Sequence, residues 1–122
     1  MNLRSGVGRR LTQFTESAFP PTWGLGSSSA STLAAASALR QLSGQSQSPL
    51  DLFAEVRDAQ RLLQGQASGY DVAAQLLGGY VRFQDGEPPQ LTRVEPPAAG
   101  LDWIVGWSGN KASTGAMIED VR

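Results

Sequence analysis

Two glycines and a run of serines form the segment with the clearest chemical capacity, Gly24-Leu25-Gly26-Ser27-Ser28-Ser29. Glycine has no Cβ, so the backbone at Gly24 and Gly26 can approach a ligand closely and take positive φ. A helix beginning near Ser28 would aim unpaired N–H groups and a partial positive charge at the same place, a geometry that binds phosphate. Serine hydroxyls can add a hydrogen bond or a magnesium ligand. The same residues also suit an ordinary turn before a serine-capped helix. The segment is not a Walker loop, because the Gly-Lys-[Ser/Thr] ending is absent.

Two further positions have chemistry open to them. Asp71 is a carboxylate among glycine and small residues, suited to orienting or deprotonating a hydroxyl. It is equally suited to capping a helix that starts at Val72. Lys111 is the sole lysine, between Ser108 and Ser113-Thr114. There it holds a phosphate as a point charge or simply stands in solvent. The 122 residues contain no histidine and no cysteine. That removes the commonest general base, thiolate zinc or redox chemistry, and any disulfide framework. Catalysis would rest on carboxylates, hydroxyls, amides, Lys or Arg.

The whole-chain balance narrows the partners. A formal net charge of −1 gives no basic excess for a nucleic-acid backbone. No stretch approaches the ~20 apolar residues of a membrane span, and no apolar signal core follows Arg4, Arg9 and Arg10. A cytoplasmic location is the default expectation.

The elements that must position these groups follow from pattern. Part of residues 9–19, with Leu11, Phe14 and Phe19 among threonines, reads as a strand ended by Pro20-Pro21. From Ser28 to about Leu42 the chain is alanine-rich, with Ala35, Ala38, Leu39 and Leu42 at helical spacing and Gly44 as a stop. Ser48-Pro49-Leu50-Asp51 opens a second helix with a serine cap, proline at the first position and an acidic first turn. Its apolar stripe is Leu52, Val56, Ala59 and Leu63, and Gly65 closes it. Tyr80-Val81-Arg82-Phe83 reads as a short strand, residues 84–100 as turn and loop, and Asp102–Trp107 as a buried strand leading to a last helix. In that helix Glu119 and Asp120 would oppose the dipole of the final turn. The helix is therefore expected to continue beyond Arg122, the alternative being a solvated, fraying end.

Three segments, in order, resemble the GHMP kinase superfamily, especially its mevalonate and phosphomevalonate kinase branch. Pro20-Pro21-Thr22-Trp23-Gly24-Leu25-Gly26-Ser27-Ser28-Ser29-Ala30 is similar to that family's Pro-x-x-x-Gly-Leu-Gly-Ser-Ser-[Ala/Ser] motif. Ser68-Gly69-Tyr70-Asp71, with Gly78-Gly79 after it, resembles the Ser-Gly-x-Asp segment. Val105–Thr114 resembles the strand and serine-threonine loop that open the C-terminal lobe. The resemblance implies a kinase acting on a small-molecule substrate, with ATP and Mg2+ as cofactors. It assigns Gly24, Leu25, Gly26, Ser27, Ser28 and Ser29 to the nucleotide phosphates, Ser28 also to magnesium, and Asp71 to catalysis. Ser68, Gly69, Ser108, Lys111, Ser113 and Thr114 would lie near the acceptor. One departure stands out: mevalonate kinases place a magnesium-binding glutamate eleven residues before the aspartate, and here that position is Gln60. This favours a phosphomevalonate-like or divergent member.

The family's early Pro-Gly-[Arg/Lys]-Val…Gly-Glu motif and its late glycine-rich motif do not occur in these residues. The expectation is thus an internal piece of a kinase, inactive alone. Its fold would be α+β, a partial GHMP kinase fold. Residues 1–84 would be the later part of a ribosomal-S5-domain-2-like lobe, 85–100 a connecting loop, and 101–122 the truncated start of a ferredoxin-like lobe. Uncovered sheet edges would make it marginally stable or self-associating. The rival readings are a non-catalytic remnant or interaction module, and a sugar kinase of the same superfamily.

Overall fold

Three helices followed by a β-hairpin are the main elements among the residues that a computed structural model describes, 12–65, 67–97 and 102–110. A single 3-10 turn at Pro21–Trp23 comes first, closed by the Trp23 N–H donating to the Pro20 carbonyl at 3.1 Å. Helix α1 spans Ser27–Leu42, α2 Pro49–Gln64 and α3 Tyr70–Leu77. Strands β1, Tyr80–Gln84, and β2, Gln90–Val94, pair antiparallel with Phe83 opposite Leu91 and Val81 opposite Arg93.

The helix boundaries follow local chemistry. Pro49 occupies the first turn of α2, where its missing N–H has no helical partner to lose. Gly65 ends that helix in the left-handed region (φ 77°), its N–H reaching the Arg61 carbonyl at 2.8 Å. Ser48 does sit at the N-cap, but its hydroxyl makes no capping bond; only its carbonyl joins the helix, accepting from Leu52 N–H at 3.0 Å.

The buried faces differ from the periodic stripes. On α1 the core side is Ser29 and Ala36 with Leu33 packed against it, while Leu39 and Leu42 are exposed. An alanine-rich helix has apolar residues on every side, so composition does not choose its face. On α2 the buried side is Leu52, Phe53, Val56, Arg57 and Gln60, and Leu63 is exposed. Two polar residues thus occupy positions that a hydrophobic stripe would not pick.

Phe53, Val56 and Val72 are fully buried and meet Leu52, Ala36 and Ala73 in one core. Burying a side chain of this kind contributes roughly 1.5–3 kcal/mol. The hairpin packs on this core through Val81, Phe83 and Leu91, with the Phe83 ring 5.5 Å from that of Phe53. Arg93, across from Val81, donates its guanidinium to the Leu77 and Gly78 carbonyls and so satisfies the end of α3.

Three further expectations change. Residues 12–19 form no strand, and Phe14 is exposed; residues 9–11 lie outside the described part. The segment 85–100, read as loop, contains β2, because the extended run Gln90–Val94 finds its partner in β1 rather than in its own neighbours. Asp102–Trp107 is neither a strand nor buried: Trp103, Ile104, Val105 and Trp107 are exposed, and no described strand pairs with them. The last helix, with Glu119 and Asp120, lies outside the described residues, as does most of the segment assigned to a ferredoxin-like lobe. What stands is a small α+β unit of three helices and a two-stranded sheet. Among the described residues, no helix is long and apolar enough to cross a membrane.

Candidate functional site

The serine run enters the site through the first turn of α1. Gly24 and Gly26 both have φ 74°, which L side chains rarely adopt, so the chain bends twice before the helix begins. The first helix-closing bond runs from Ala30 N–H to the Gly26 carbonyl at 3.0 Å. The N–H groups of Ser27, Ser28 and Ser29 precede it and are directed out of the helix end. Gln75 of α3 fastens the loop, its amide nitrogen donating to the same Gly26 carbonyl at 2.9 Å. A Cβ on Gly26 would lie 2.6 Å from that nitrogen, so this glycine answers both to dihedral angle and to space.

Ser27 and Ser28 remain near the surface, Ser27 Oγ donating weakly to the Pro21 carbonyl at 3.4 Å. Ser29 turns inward and is 2% exposed. Its hydroxyl donates to Asp71 Oδ2 and accepts from the Gln60 side-chain nitrogen at 2.7 Å. Asp71 Oδ1 accepts from Val72 N–H at 3.0 Å. Asp71 is therefore not the cap of a helix starting at Val72. The helix starts at Tyr70 with Gly69 at its N-cap (φ 88°), and Asp71 lies inside the first turn, a favourable place for a carboxylate.

Gly69 sets that turn at the correct depth. A Cβ there would come within 2.7 Å of Phe53 Cζ and 3.3 Å of Arg57 Cδ. Phe53 and Arg57 are themselves locked, the Arg57 guanidinium lying 5.0 Å over the Phe53 ring and pairing with Asp85 at 3.1 Å. The Asp71 carboxylate thus stands on a helix whose start is wedged against the core.

A model of the GHMP kinases N terminal domain matches residues 2–79, which contain the loop Gly24–Ser29, Gln60, Gly69, Asp71 and Gln75. The chain belongs to the GHMP kinases.

Among its relatives, the mevalonate kinase of Aeropyrum pernix is 32% identical over 110 residues, 90% of this chain and 33% of that protein. The mevalonate kinase of Thermococcus sibiricus is 32% identical over 112 residues, 92% of this chain and 32% of that one. The phosphomevalonate kinase of a Streptomyces species is 29% identical over 121 residues, 82% of this chain and 32% of that one. The chain spans about a third of the length of these curated relatives. No solved structure matches it.

For a GHMP kinase the assigned residues divide as follows. The structure brings Gly24–Ser29 and Asp71 into one neighbourhood, joined through Ser29. Ser29, assigned to the phosphates, commits its hydroxyl to Asp71, so only its backbone N–H faces the helix end. Ser68 is exposed and Gly69 buried, adjoining Asp71 in sequence. Ser108 donates within its own turn, to the Asn110 carbonyl at 3.4 Å. Lys111, Ser113 and Thr114 lie outside the described residues. Two contributors were not foreseen: Gln75, whose side-chain oxygen is buried without a partner beside the loop, and Arg57 under Gly69. The signal for Gln75 was its place one helical turn after Asp71. Arg57 had none beyond its spacing from Phe53.

Proposed function

We propose that this chain carries the phosphate loop and catalytic aspartate of an ATP-dependent kinase. The γ-phosphoryl group would pass to a hydroxyl or phosphate of a mevalonate-like or phosphomevalonate-like acceptor. The observation that supports it is the direct linkage of the α1 N-terminus to Asp71 through one buried serine, Ser29. In this reading the N–H groups of Ser27, Ser28 and Ser29 receive phosphate oxygens, and the reaction depends mainly on positioning and charge stabilisation. With a hydroxyl acceptor, Asp71 takes the proton of the attacking oxygen. A phosphate monoester, with its second pKa near ~6, is largely ionised at neutral pH, and Asp71 then orients it instead.

Magnesium typically keeps several waters and takes one or two carboxylates together with substrate phosphates. Asp71 and the exposed Ser28 hydroxyl fit that sparse set, and among the described residues no group of three His, Cys, Asp or Glu side chains forms a fuller one. When bound, the ion would offset phosphate charge. The reading brings with it small-molecule partners and a cytoplasmic setting.

A specific observation favours the second reading, a non-catalytic module. Both Asp71 oxygens already accept bonds from the protein, and Gln60 presents a donor where a carboxylate would bind magnesium. The experiment is Mg·ATP binding by calorimetry, then phosphoryl transfer to a panel of mevalonate, phosphomevalonate and sugars, with Asp71→Asn as control. Binding with Asp71-dependent ADP release supports the kinase, and the acceptor that turns over names the substrate. Binding without transfer keeps the phosphate loop and denies this chain catalysis by itself, and no Mg·ATP binding overturns the phosphate loop.

A further inference from the structure

Ser29 Oγ has one proton and two polar neighbours, Asp71 Oδ2 and the Gln60 amide. An ionised carboxylate can only accept, so the Ser29 proton goes to Asp71. The Ser29 oxygen is then left as an acceptor, and Gln60 must turn its nitrogen toward it rather than its oxygen. The hydrogen bonds therefore run in one direction, from Gln60 on α2 through Ser29 on α1 to Asp71 on α3. Ser29 and Gln60 are 2% and 4% exposed, so bulk water does not compete for the bond between them, while the bond from Ser29 to Asp71 is part-buried. Val72 N–H holds the other carboxylate oxygen at 3.0 Å.

We propose that Ser29 is a positioning residue for Asp71, and that Gln60, a donor at this place, leaves the Ser29 proton no competing acceptor. The Ser29 hydroxyl, with its proton directed to Asp71, holds the carboxylate in one rotamer, so that an acceptor meets a carboxylate of fixed orientation. The role toward an acceptor rests on the kinase reading; the directed hydrogen-bond chain does not. Direction matters more than packing here. Gln60→Glu replaces the donor by a second acceptor of the same size, so two like charges share one proton and Asp71 is released. Gln60→Met removes the donor without adding an acceptor, and Ser29 keeps Asp71 as its only target.

The test is the Asp71 χ1 rotamer in the isotope-labelled chain, from three-bond couplings of its backbone nitrogen and carbonyl carbon to Cγ. A single rotamer is expected in the unchanged chain and in Gln60→Met, with loss of that pattern in Gln60→Glu and Ser29→Ala. Averaged couplings in the unchanged chain overturn the proposal without requiring any variant to fold. So does a single rotamer retained in Gln60→Glu or Ser29→Ala, or Gln60→Met averaging as Gln60→Glu does. Mg·ATP added to the same samples and followed by phosphorus resonances separates the two claims. Unperturbed phosphorus signals with a fixed Asp71 remove the kinase reading and leave the hydrogen-bond chain. Perturbed signals with an averaged Asp71 do the reverse.

Discussion

The side-chain nitrogen of Gln60 lies 2.7 Å from Ser29 Oγ, a buried bond between residues 31 positions apart in sequence. It joins α2 to α1 at the point where α1 meets Asp71 of α3, so one hydroxyl ties three helices together. Polar groups buried in this way are costly when a partner is lost, because the remaining donor or acceptor stays dry.

Removing that hydroxyl should therefore destabilise the fold. Ser29→Ala leaves the Gln60 amide without its acceptor and is expected to cost about 1–3 kcal/mol. Urea unfolding followed by circular dichroism measures it, and an unchanged midpoint would show that the bond contributes nothing net.

Gly69 should be among the least replaceable residues. A methyl group there meets Phe53 Cζ at 2.7 Å, and φ is 88°. Backbone strain alone costs about 1–3 kcal/mol, so Gly69→Ala should lose at least that much. Phe53→Leu in the same chain should recover part of the loss by opening the contact, a non-additivity that a double-mutant cycle measures directly.

The two loop glycines should respond unequally. Both have φ 74°, but a Cβ on Gly24 meets nothing within 4 Å, whereas one on Gly26 strikes the Gln75 nitrogen. On the kinase reading, Gly26→Ala should weaken Mg·ATP binding more than Gly24→Ala, because it also dislodges the helix that carries Asp71. Calorimetry on the two variants decides; equal losses would mean that only the dihedral angles matter.

Exchange of one atom at residue 60 should change the ion chemistry. Gln60→Glu brings a second carboxylate to Ser29 and Asp71, and hard divalent cations bind more tightly as charged oxygen ligands are added. Manganese binding without nucleotide should strengthen relative to the unchanged chain. Unaltered binding would place the ion away from this cluster.

Self-association is expected through the apolar surface beyond the core. Leu62 is 88% exposed, Ile104 94% and Trp103 72%. Exposed apolar groups of this size favour contact with other molecules. Sedimentation velocity over a concentration series should show growth in mass, and Ile104→Asp should reduce it. A monomer at every concentration would exclude this.

The candidate site was readable where its signals are local. Gly24 and Gly26 pointed to a bent backbone before a helix, and Pro49 and Gly65 to the ends of α2, because dihedral preference and a missing N–H act within one or two residues. The strand β2 was not readable. Gln90–Val94 is flanked by Pro88-Pro89 and Pro96-Pro97, and what makes it a strand is its pairing with β1. Asp102–Trp107 erred the other way: β-favouring residues alone do not make a strand when no described neighbour pairs with them.

The sequence by itself determined the family, the order Gly24–Ser29 then Asp71, and the helix that follows the glycine-serine loop. All of these depend on residue type and short-range spacing. Tertiary structure alone decided which serine turns inward, which face of α2 is buried, and that Gln60 reaches Ser29. These depend on how three helices pack around Phe53 and Val72. A helix face is chosen by what lies opposite it, and Ser29 is held inside because Gln60 and Asp71 meet it there.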